Sequence, residues 1–317
     1  MNSSMNNVDI LIKNVSKRFS TGWGKSKMGV DGLSLEVPKG QVVGLLGPNG
    51  SGKSTTIKMI LGFLKPTAGE IWVCGHQVPD KITRSFIGYL PENPRFPKFL
   101  SGRALLTFYG NLLSLSGKAL TNRIDFLLDL VDLRWASEEK VQGYSKGMTQ
   151  RLAIAQSLLN EPRLLIFDEP MSGLDPLGRK DIRNLIRRIH SELPEATIFF
   201  SSHILEDVEQ LCSSVALLRK GKLKTFCSID ELLKVEGNRF EVSIRDSQQA
   251  DTLPPGNLTT KNLNGTEELI SFLNQAQQKG ISIVSISSHR NKLEEALFKE
   301  GELNLNHPEN NQPEARQ

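Results

Sequence analysis

The stretch Gly47-Pro48-Asn49-Gly50-Ser51-Gly52-Lys53-Ser54 fits the phosphate-binding pattern G-x-x-x-x-G-K-[ST] at every fixed position. A β-type run over residues 41–46 precedes it, and a helical segment, residues 55–61, follows it. A glycine-rich loop between a strand and a helix directs backbone N–H groups and the positive end of a helix dipole at one point, which favours bound phosphate. We expect Lys53 to neutralise the β- and γ-phosphate oxygens and the Ser54 hydroxyl to ligate Mg²⁺.

The composition sets broad limits on the class of protein. A chain of 317 residues suggests about two domains. The net charge is +4, but residues 240–317 hold 11 acidic and 7 basic residues, so the basic excess lies before them. Such an excess suits nucleotide binding, proximity to anionic lipid headgroups, or nucleic acid. No compact Lys/Arg cluster with interleaved aromatic residues is present, so we expect no nucleic-acid partner.

Membrane insertion and secretion are not predicted. No apolar run approaches the ~18 residues needed to span a bilayer. The first seven residues lack the basic and apolar regions of a signal peptide. The three cysteines have no metal-type spacing, which favours a reduced, cytosolic protein in which burial explains each of them.

The apolar pattern predicts an α/β fold. Residues 164–167 form a continuous apolar run, typical of a strand that is buried on both faces of a parallel sheet. Residues 196–200 form a similar run, and an amphipathic helix over about 177–192 lies between the two. This β-α-β alternation predicts a parallel sheet. Short β-like runs at 8–15, 33–37 and 70–73 surround the phosphate loop.

Helical spacing dominates residues 95–160. Two apolar helix faces are predicted there, one of Leu105, Leu106, Tyr109, Leu112 and Leu113, the other of Leu120, Ile124, Leu127, Leu128 and Val131. A further helix is predicted over 152–159.

The composition changes after about residue 226. Residues 240–244 and 281–286 are strand-like, whereas 266–278 and 291–299 are helix-like. We therefore predict a small α+β module over 227–300, with a Pro-Pro-Gly loop at 254–256. The tail at 301–317 is rich in Asn, Pro and Glu and is predicted to be disordered.

Two further motifs carry chemistry. Asp168-Glu169 directly follows the buried run 164–167, where the carboxyl edge of a parallel sheet meets its ligand. Asp168 is expected to hold Mg²⁺, and Glu169 to act as the general base for a water that attacks the γ-phosphate. The segment Tyr144-Ser145-Lys146-Gly147-Met148-Thr149-Gln150-Arg151 precedes the predicted helix and offers a hydroxyl and free N–H groups to a phosphate.

The order of these elements over about residues 8–226 resembles the ATP-binding cassette (ABC) ATPases. Tyr144–Met148 stands where that family has its signature of the type L-S-G-G-Q, with Lys146 in place of a glycine and Met148 in place of the glutamine. Ser172-Gly173-Leu174-Asp175 is similar to the family's D-loop, and Ser201-Ser202-His203 to its switch histidine. Phe19 matches the aromatic residue that stacks on adenine.

The resemblance implies a P-loop NTPase core at 8–226, with an antiparallel β subdomain and a helical subdomain at about 95–160. It also implies a head-to-tail dimer, with this chain or a related one, that encloses two ATP molecules. The loop 47–55 of one chain, including Thr55, would grip each ATP together with Ser145 and Gly147 of the other. His203 would contact the γ-phosphate, and Asp175 would link the two sites.

One departure concerns the glutamine that this family places between Mg²⁺ and the membrane partner. Gly88-Tyr89-Leu90-Pro91-Glu92 puts Glu92 at that position, and a carboxylate also ligates Mg²⁺. This loop resembles the branch of the family that serves exporters with a separate membrane subunit. Residues 291–298 resemble the C-terminal ending of those ATPases, although an ordinary amphipathic helix explains them equally well.

The resemblance therefore implies an ATPase subunit of an ABC exporter, working on the cytoplasmic face of the cell membrane with a separately encoded transmembrane permease. A soluble ABC ATPase acting on ribosomes or DNA is the main alternative, but such proteins usually carry two cassettes or a long coiled-coil insert. A P-loop kinase is the third candidate, and it leaves residues 144–151 and 172–175 unexplained.

Overall fold

The computed structural model describes residues 7–20, 26–233, 239–245, 259–279 and 281–289 of the chain. The chain divides into two units, Met1–Ser228 and Ile229–Gln317. The first unit contains two sheets and the second contains one, and each unit has its own apolar core.

A six-stranded sheet forms the centre of the first unit. Its spatial order is β10-β9-β3-β8-β7-β6, and all neighbours are parallel except the antiparallel pair β9 and β10. The strands are β3 (Val42–Leu46), β6 (Ile87–Leu90), β7 (Leu164–Phe167), β8 (Thr197–Ser202), β9 (Ser214–Arg219) and β10 (Lys222–Ser228). Every residue of β3, β7 and β8 is buried, which confirms the predicted parallel sheet with both faces covered.

A second, antiparallel sheet has the order β2-β1-β4-β5. It consists of β1 (Val8–Ser20), β2 (Ser26–Pro38), β4 (Ala68–Val73) and β5 (His76–Gln77). Alternate residues point into the core, as Leu33, Leu35 and Val37 do on β2. These side chains share one apolar cluster with Ile57 and Ile60 of helix α1 (Lys53–Ile60), so the helix that follows the phosphate loop is anchored to this core.

Three helices lie within the predicted helical region: α3 (Gly102–Leu112), α4 (Gly117–Leu130) and α5 (Lys146–Ser157). The apolar face predicted on α4, which runs from Leu120 to Val131, is buried and therefore confirmed. The face predicted on α3 is only partly correct, because Leu112 and Leu113 are 66% and 44% exposed. The α3 helix packs against Leu120 at Gly110, where a β-carbon would come within 2.3 Å of Leu120 Cδ1, and its last residues extend beyond this contact.

The boundaries of α5 also correct the sequence analysis. The helix begins at Lys146 rather than at residue 152, because the Ser145 hydroxyl caps it by accepting a hydrogen bond from the Met148 N–H at 3.2 Å. The remaining helices of this unit are α2 (Lys81–Ser85), α6 (Pro176–Glu192) and α7 (Leu205–Leu211). None of the helices within the described ranges is both long and apolar enough to cross a bilayer.

The second unit begins with helix α8 (Ile229–Leu233) and contains a three-stranded antiparallel sheet. Its strands are β11 (Arg239–Arg245), β12 (Thr259–Asn264) and β13 (Ser282–His289), in the order β12-β11-β13, and α9 (Gly265–Gln278) is its helix. The strands at 240–244 and 281–286 and the helix at 266–278 are confirmed. Strand β12 was not predicted from the sequence, and Leu263 is its one buried residue. The predictions for 254–256, 291–299 and 301–317 lie outside the described residues.

The contact between β6 and α5 leaves no room for a side chain at Gly88. A β-carbon there would lie 2.1 Å from the Ser157 carbonyl oxygen, which is backbone and cannot rotate away. We expect Gly88→Ala to destabilise the first unit by about 1–3 kcal/mol, measured as a lower urea midpoint. Gly143→Ala is the control, since a β-carbon at Gly143 meets nothing within 4 Å. Equal midpoints for the two variants would contradict this packing argument.

Candidate functional site

Three neighbouring strands end at one edge of the parallel sheet. Leu46 at the end of β3 pairs with Ser202 at the end of β8, and Phe167 at the end of β7 pairs with Phe200. Because parallel strands present their carboxyl ends at the same edge, the segments that follow them lie side by side. The phosphate loop, the acidic pair and the predicted switch histidine are these segments.

The phosphate loop is built around backbone that excludes side chains. A β-carbon at Gly47 would lie 2.3 Å from the Leu218 carbonyl oxygen. Gly52 has a φ of 110°, a conformation that favours glycine, and it is the N-cap of α1. The loop is tied to the neighbouring strand by a hydrogen bond from the Gly47 N–H to the Ser202 carbonyl oxygen at 3.3 Å. This hydrogen bond fixes the loop against the sheet edge. The free N–H groups of the first turn of α1 therefore face the cleft from a fixed position.

Lys53 carries a buried positive charge at this loop. Its side chain is 6% exposed and donates a hydrogen bond to the Gly47 carbonyl oxygen at 2.7 Å. Its ammonium also lies 3.2 Å from Glu169 Oε1. The Pro48 carbonyl oxygen is a further, longer acceptor at 3.4 Å, so the Glu169 carboxylate is the group that compensates the charge.

Oxygen atoms suited to a hard cation lie beside Lys53. The Ser54 hydroxyl donates to Asp168 Oδ1 at 3.3 Å, and Glu92 lies at the same cleft, with its Oε1 3.5 Å from the Ser172 hydroxyl. Burial, and then the nearby charges of Asp168 and Glu92, raise the pKa of Tyr89 to about 12. A hydroxyl and two carboxylates in a region of negative charge fit Mg²⁺, which takes oxygen ligands and keeps contacts to phosphate.

Glu169 is held by three neighbours. His203 Nδ1 lies 2.8 Å from Glu169 Oε2, while Lys53 meets the other carboxylate oxygen. Its backbone has a φ of 49°, unusual for a residue other than glycine. In this backbone conformation, the Glu169 N–H donates a hydrogen bond to the Ser201 hydroxyl at 2.9 Å. Such strain at a carboxylate is typical of functional sites.

Ser201 is a site residue that the sequence analysis did not single out. It is fully buried, and its hydroxyl donates to Asp168 Oδ1 at 2.7 Å while it accepts from the Glu169 N–H. One hydroxyl therefore fixes both acids. A serine at the end of a buried apolar strand, two residues before the predicted histidine, was the available signal.

One cleft of about 400 Å³ is lined by Lys53, Ser54, Glu92, Glu169 and His203. Asp168 and Ser201 are buried and are not among its lining residues. Phe19 also lines the cleft; its ring is partly exposed, and the Lys17 ammonium lies 5.6 Å from the ring centroid. Gly29, which was also missed, leaves space for this ring, because a β-carbon there would lie 2.6 Å from Phe19 Cε2. The cleft thus combines an aromatic surface with a phosphate loop and a carboxylate cluster.

The structure does not bring every predicted residue into this cleft. Ser145, Gly147 and Asp175 line a second cleft of about 690 Å³, which shares no lining residue with the first. Ser145 caps α5, and Asp175 caps α6 by accepting from the Gly178 N–H at 3.1 Å. Two helix N-termini therefore open onto this second surface.

A buried ionic cluster, also missed from the sequence, connects α6 to the strand end that carries His203. Asp207 on α7 is 1% exposed and accepts hydrogen bonds from Arg179 at 2.6 Å and from Arg183 at 2.9 Å. The Ser202 hydroxyl lies 3.4 Å from the same carboxylate. These contacts hold the helix capped by Asp175 next to the strand end of the first cleft.

The first cleft suits a nucleoside triphosphate whose terminal phosphate is to be hydrolysed, and the chain is thus a P-loop nucleoside triphosphatase. The family model described as "ABC transporter" matches residues 30–172. An uncharacterized ABC transporter ATP-binding protein of Nostoc sp. (strain PCC 7120 / SAG 25.82 / UTEX 2576) is 37% identical over 297 residues, 90% of this chain and 88% of the relative. The bacitracin transport ATP-binding protein of Bacillus licheniformis is 35% identical, covering 86% and 92%.

A solved structure agrees with this assignment. The cbiO1 protein of Clostridium perfringens, part of an ABC transporter complex, matches with a TM-score of 0.65 and 25% identity over 71% of this chain and 90% of that chain. The chain belongs to the ABC transporter ATP-binding proteins. It is the ATP-binding and ATP-hydrolysing subunit of an ABC transporter, and the soluble alternative acting on ribosomes or nucleic acid receives no support from these relatives.

The hydroxyl of Ser201 gives a direct test of the site. Ser201→Ala removes the partner of two buried groups, and we expect a loss of about 1–3 kcal/mol in the free energy of unfolding. The turnover number for ATP should fall about tenfold or more because both acids lose their position, while ATP affinity, set by the loop, changes little. Urea unfolding and steady-state ATPase assays measure these quantities.

Ser157→Ala is the matched control. Ser157 is 2% exposed, and its hydroxyl donates only to the Ile154 carbonyl oxygen within α5. Both variants lose a buried hydroxyl, but only one loses it at the acids. A turnover number for Ser201→Ala equal to that of the control would show that Ser201 does not position the acids.

Proposed function

We propose that this chain powers an exporter as a head-to-tail dimer, bound to a separately encoded transmembrane permease at the cytoplasmic face of the cell membrane. The observation that carries the dimer is the separation of two clefts on one chain. The first holds the loop and the acids, whereas the second holds Ser145, Gly147 and Asp175. A second copy, or a related chain, completes the site by facing its second cleft toward the first.

Within the first cleft, the proposed contacts to ATP follow the geometry. The free backbone N–H groups within residues 47–55 and the Lys53 ammonium bind the β- and γ-phosphates, and the Phe19 ring stacks on the base. Ser54, Asp168 and Glu92 supply the oxygen ligands for Mg²⁺, which neutralises phosphate charge when bound.

Hydrolysis is assigned to Glu169. Its carboxylate takes a proton from water as the water oxygen bonds to the γ-phosphorus, the bond to the β-phosphate oxygen breaks, and ADP leaves. His203, whose Nδ1 lies 2.8 Å from Glu169 Oε2, orients this carboxylate. Its other ring nitrogen, Nε2, contacts the γ-phosphate.

The second cleft acts on the partner's nucleotide. The Ser145 hydroxyl and the Gly147 N–H lie at the start of α5, where the helix dipole favours an anion. These groups contact the γ-phosphate held by the other chain, and Asp175 links the two sites. ATP binding thereby closes the dimer, and hydrolysis reopens it.

A protein partner is supported by exposed aromatic and aliphatic side chains on the chain that follows Glu92. Phe99 is 74% exposed, and Phe108 and Leu112 on α3 are 49% and 66% exposed. Phe108 and Leu112 are four residues apart on one helix and share a face, and large apolar side chains exposed together mark interaction sites. A relative is named for bacitracin transport, and we assign the exposed face to the permease of an exporter.

Lys53→Ala tests the assignment of the loop. The substitution removes the cation that meets the phosphates and leaves Glu169 without its buried partner, so tight ATP binding should be lost. Lys58→Ala is the control, because Lys58 lies on the same helix but is exposed. Titration with a fluorescent ATP analogue measures both, and micromolar binding by Lys53→Ala would count against the loop.

Glu169→Gln tests the dimer and its partner together. The amide cannot accept the proton, so the variant should bind ATP and remain a closed dimer, as measured by analytical ultracentrifugation. Purified from its native cells in mild detergent with ATP, it should bring along a polytopic membrane protein, identified by mass spectrometry. Ribosomal proteins or nucleic acid without a membrane protein would overturn the transport assignment.

The double variant Glu169→Gln/Ser145→Arg is the control for closure. The long side chain replaces the hydroxyl and keeps the partner's γ-phosphate from approaching the start of α5, without touching the loop, so each monomer should still bind ATP but should not dimerise. Dimerisation equal to that of Glu169→Gln would refute the head-to-tail arrangement.

A further inference from the structure

Lys146 lies between helix α5 and the loop before α6, both of which line the second cleft. It is the first residue of α5, and its ammonium lies against Gly173 in the loop before α6. A β-carbon at Gly173 would come within 2.1 Å of Lys146 Nζ. Gly173, with a φ of 65°, therefore leaves the space that the ammonium fills.

The acidic groups of this cleft already have other partners. Asp132 is bound to Arg151 at 3.0 Å and to Arg188 at 3.2 Å, and Asp181 lies 3.5 Å from Arg151. Asp175 accepts a hydrogen bond from the N–H of its own helix. Lys146 is exposed and, over the ranges that the structure covers, forms no salt bridge within 4.0 Å. Its charge therefore remains available at the mouth of the cleft.

We propose that Lys146 is an added cationic contact for the terminal phosphate of the nucleotide held by a second copy of this chain, and that Gly173 keeps it in position. The inference rests on the dimer of the proposed function. It assigns a role to a residue that replaces a glycine of the family's signature.

The physical consequence is a stronger electrostatic contribution to closure. Ser145 and Gly147 offer a hydroxyl and an N–H, whereas Lys146 adds a full positive charge beside them. A triphosphate presents its terminal phosphate to this charge, and a diphosphate does not. Lys146 should therefore increase the difference in dimer affinity between ATP and ADP, most strongly at low ionic strength.

The test uses the full-length Glu169→Gln chain with ATP, and with ADP as the second nucleotide, over a series of NaCl concentrations. Adding Lys146→Gln, which keeps a polar side chain one atom shorter but removes the charge, should weaken the ATP-driven dimer about tenfold and flatten its salt dependence. Adding Lys146→Arg should preserve both properties. Binding of the fluorescent ATP analogue to the monomer should be the same in all variants.

A second variant separates charge from position. Gly173→Ala displaces the ammonium without removing it, so it should weaken the dimer in the Lys146 background. Its effect should be smaller once Lys146→Ala is present, because only the backbone strain of an alanine at a φ of 65° then remains. Additive losses would contradict the role of Gly173.

The outcomes distinguish the two proposals. If the Glu169→Gln chain itself does not dimerise with ATP, the dimer of the proposed function is wrong, and the role of Lys146 falls with it. If that chain dimerises but Lys146→Gln changes neither the affinity nor its dependence on salt, the dimer stands and the assignment of Lys146 is wrong.

Discussion

The parallel pairing of β3, β8 and β7 is the constraint on which the site depends. Leu46 is paired with Ser202, and Phe167 is paired with Phe200. The phosphate loop, the two acids and the histidine therefore follow their strands at the same edge of the sheet. Fully buried aromatic side chains, including Phe199 on β8, hold this register from both faces. A shift of β8 by one residue would turn Ser201 to the other face of the sheet and remove the hydroxyl from both acids.

The sequence predicts the parts of the structure that are encoded locally. The phosphate loop, the apolar strand before Asp168 and the helix after Asp175 each carry their signal within a few residues. Ser201, in contrast, acts on Asp168 across 33 positions, and Arg179 meets Asp207 across 28. Such contacts follow from register and helix packing, which a single sequence does not fix.

The errors have the same origin. Leu112 lies on the apolar face of α3 by helical periodicity, yet it is exposed because the contact with α4 ends near Gly110. Polar β12 was missed because its pairing with β11 is satisfied by backbone hydrogen bonds, with only Leu263 contributing a buried side chain. Periodicity shows which residues share a face, but not how far the neighbouring element extends along it.

The ionic cluster around Asp207 gives the two clefts a common support. A carboxylate that is 1% exposed requires both Arg179 and Arg183, because removing either would leave part of a buried charge without compensation. Both arginines lie on the helix that Asp175 caps, while the Ser202 hydroxyl joins the cluster from the strand end before His203. Under the proposed function, Asp175, which links the two sites of the dimer, and His203, which contacts this chain's own nucleotide, are therefore attached to one network of buried contacts.

Under the proposed function, the pairing of Lys53 with Glu169 links nucleotide binding to the availability of the carboxylate that acts as general base. Lys53 lies 3.2 Å from Glu169 Oε1 while His203 meets Oε2, so both carboxylate oxygens are engaged. Under the proposed function, a triphosphate brings several negative charges to the same ammonium and competes with Glu169 for it. The carboxylate oxygen that faced Lys53 then loses its partner beside the γ-phosphate. Glu169 therefore becomes free to accept a proton from water only after the nucleotide has taken its place at Lys53.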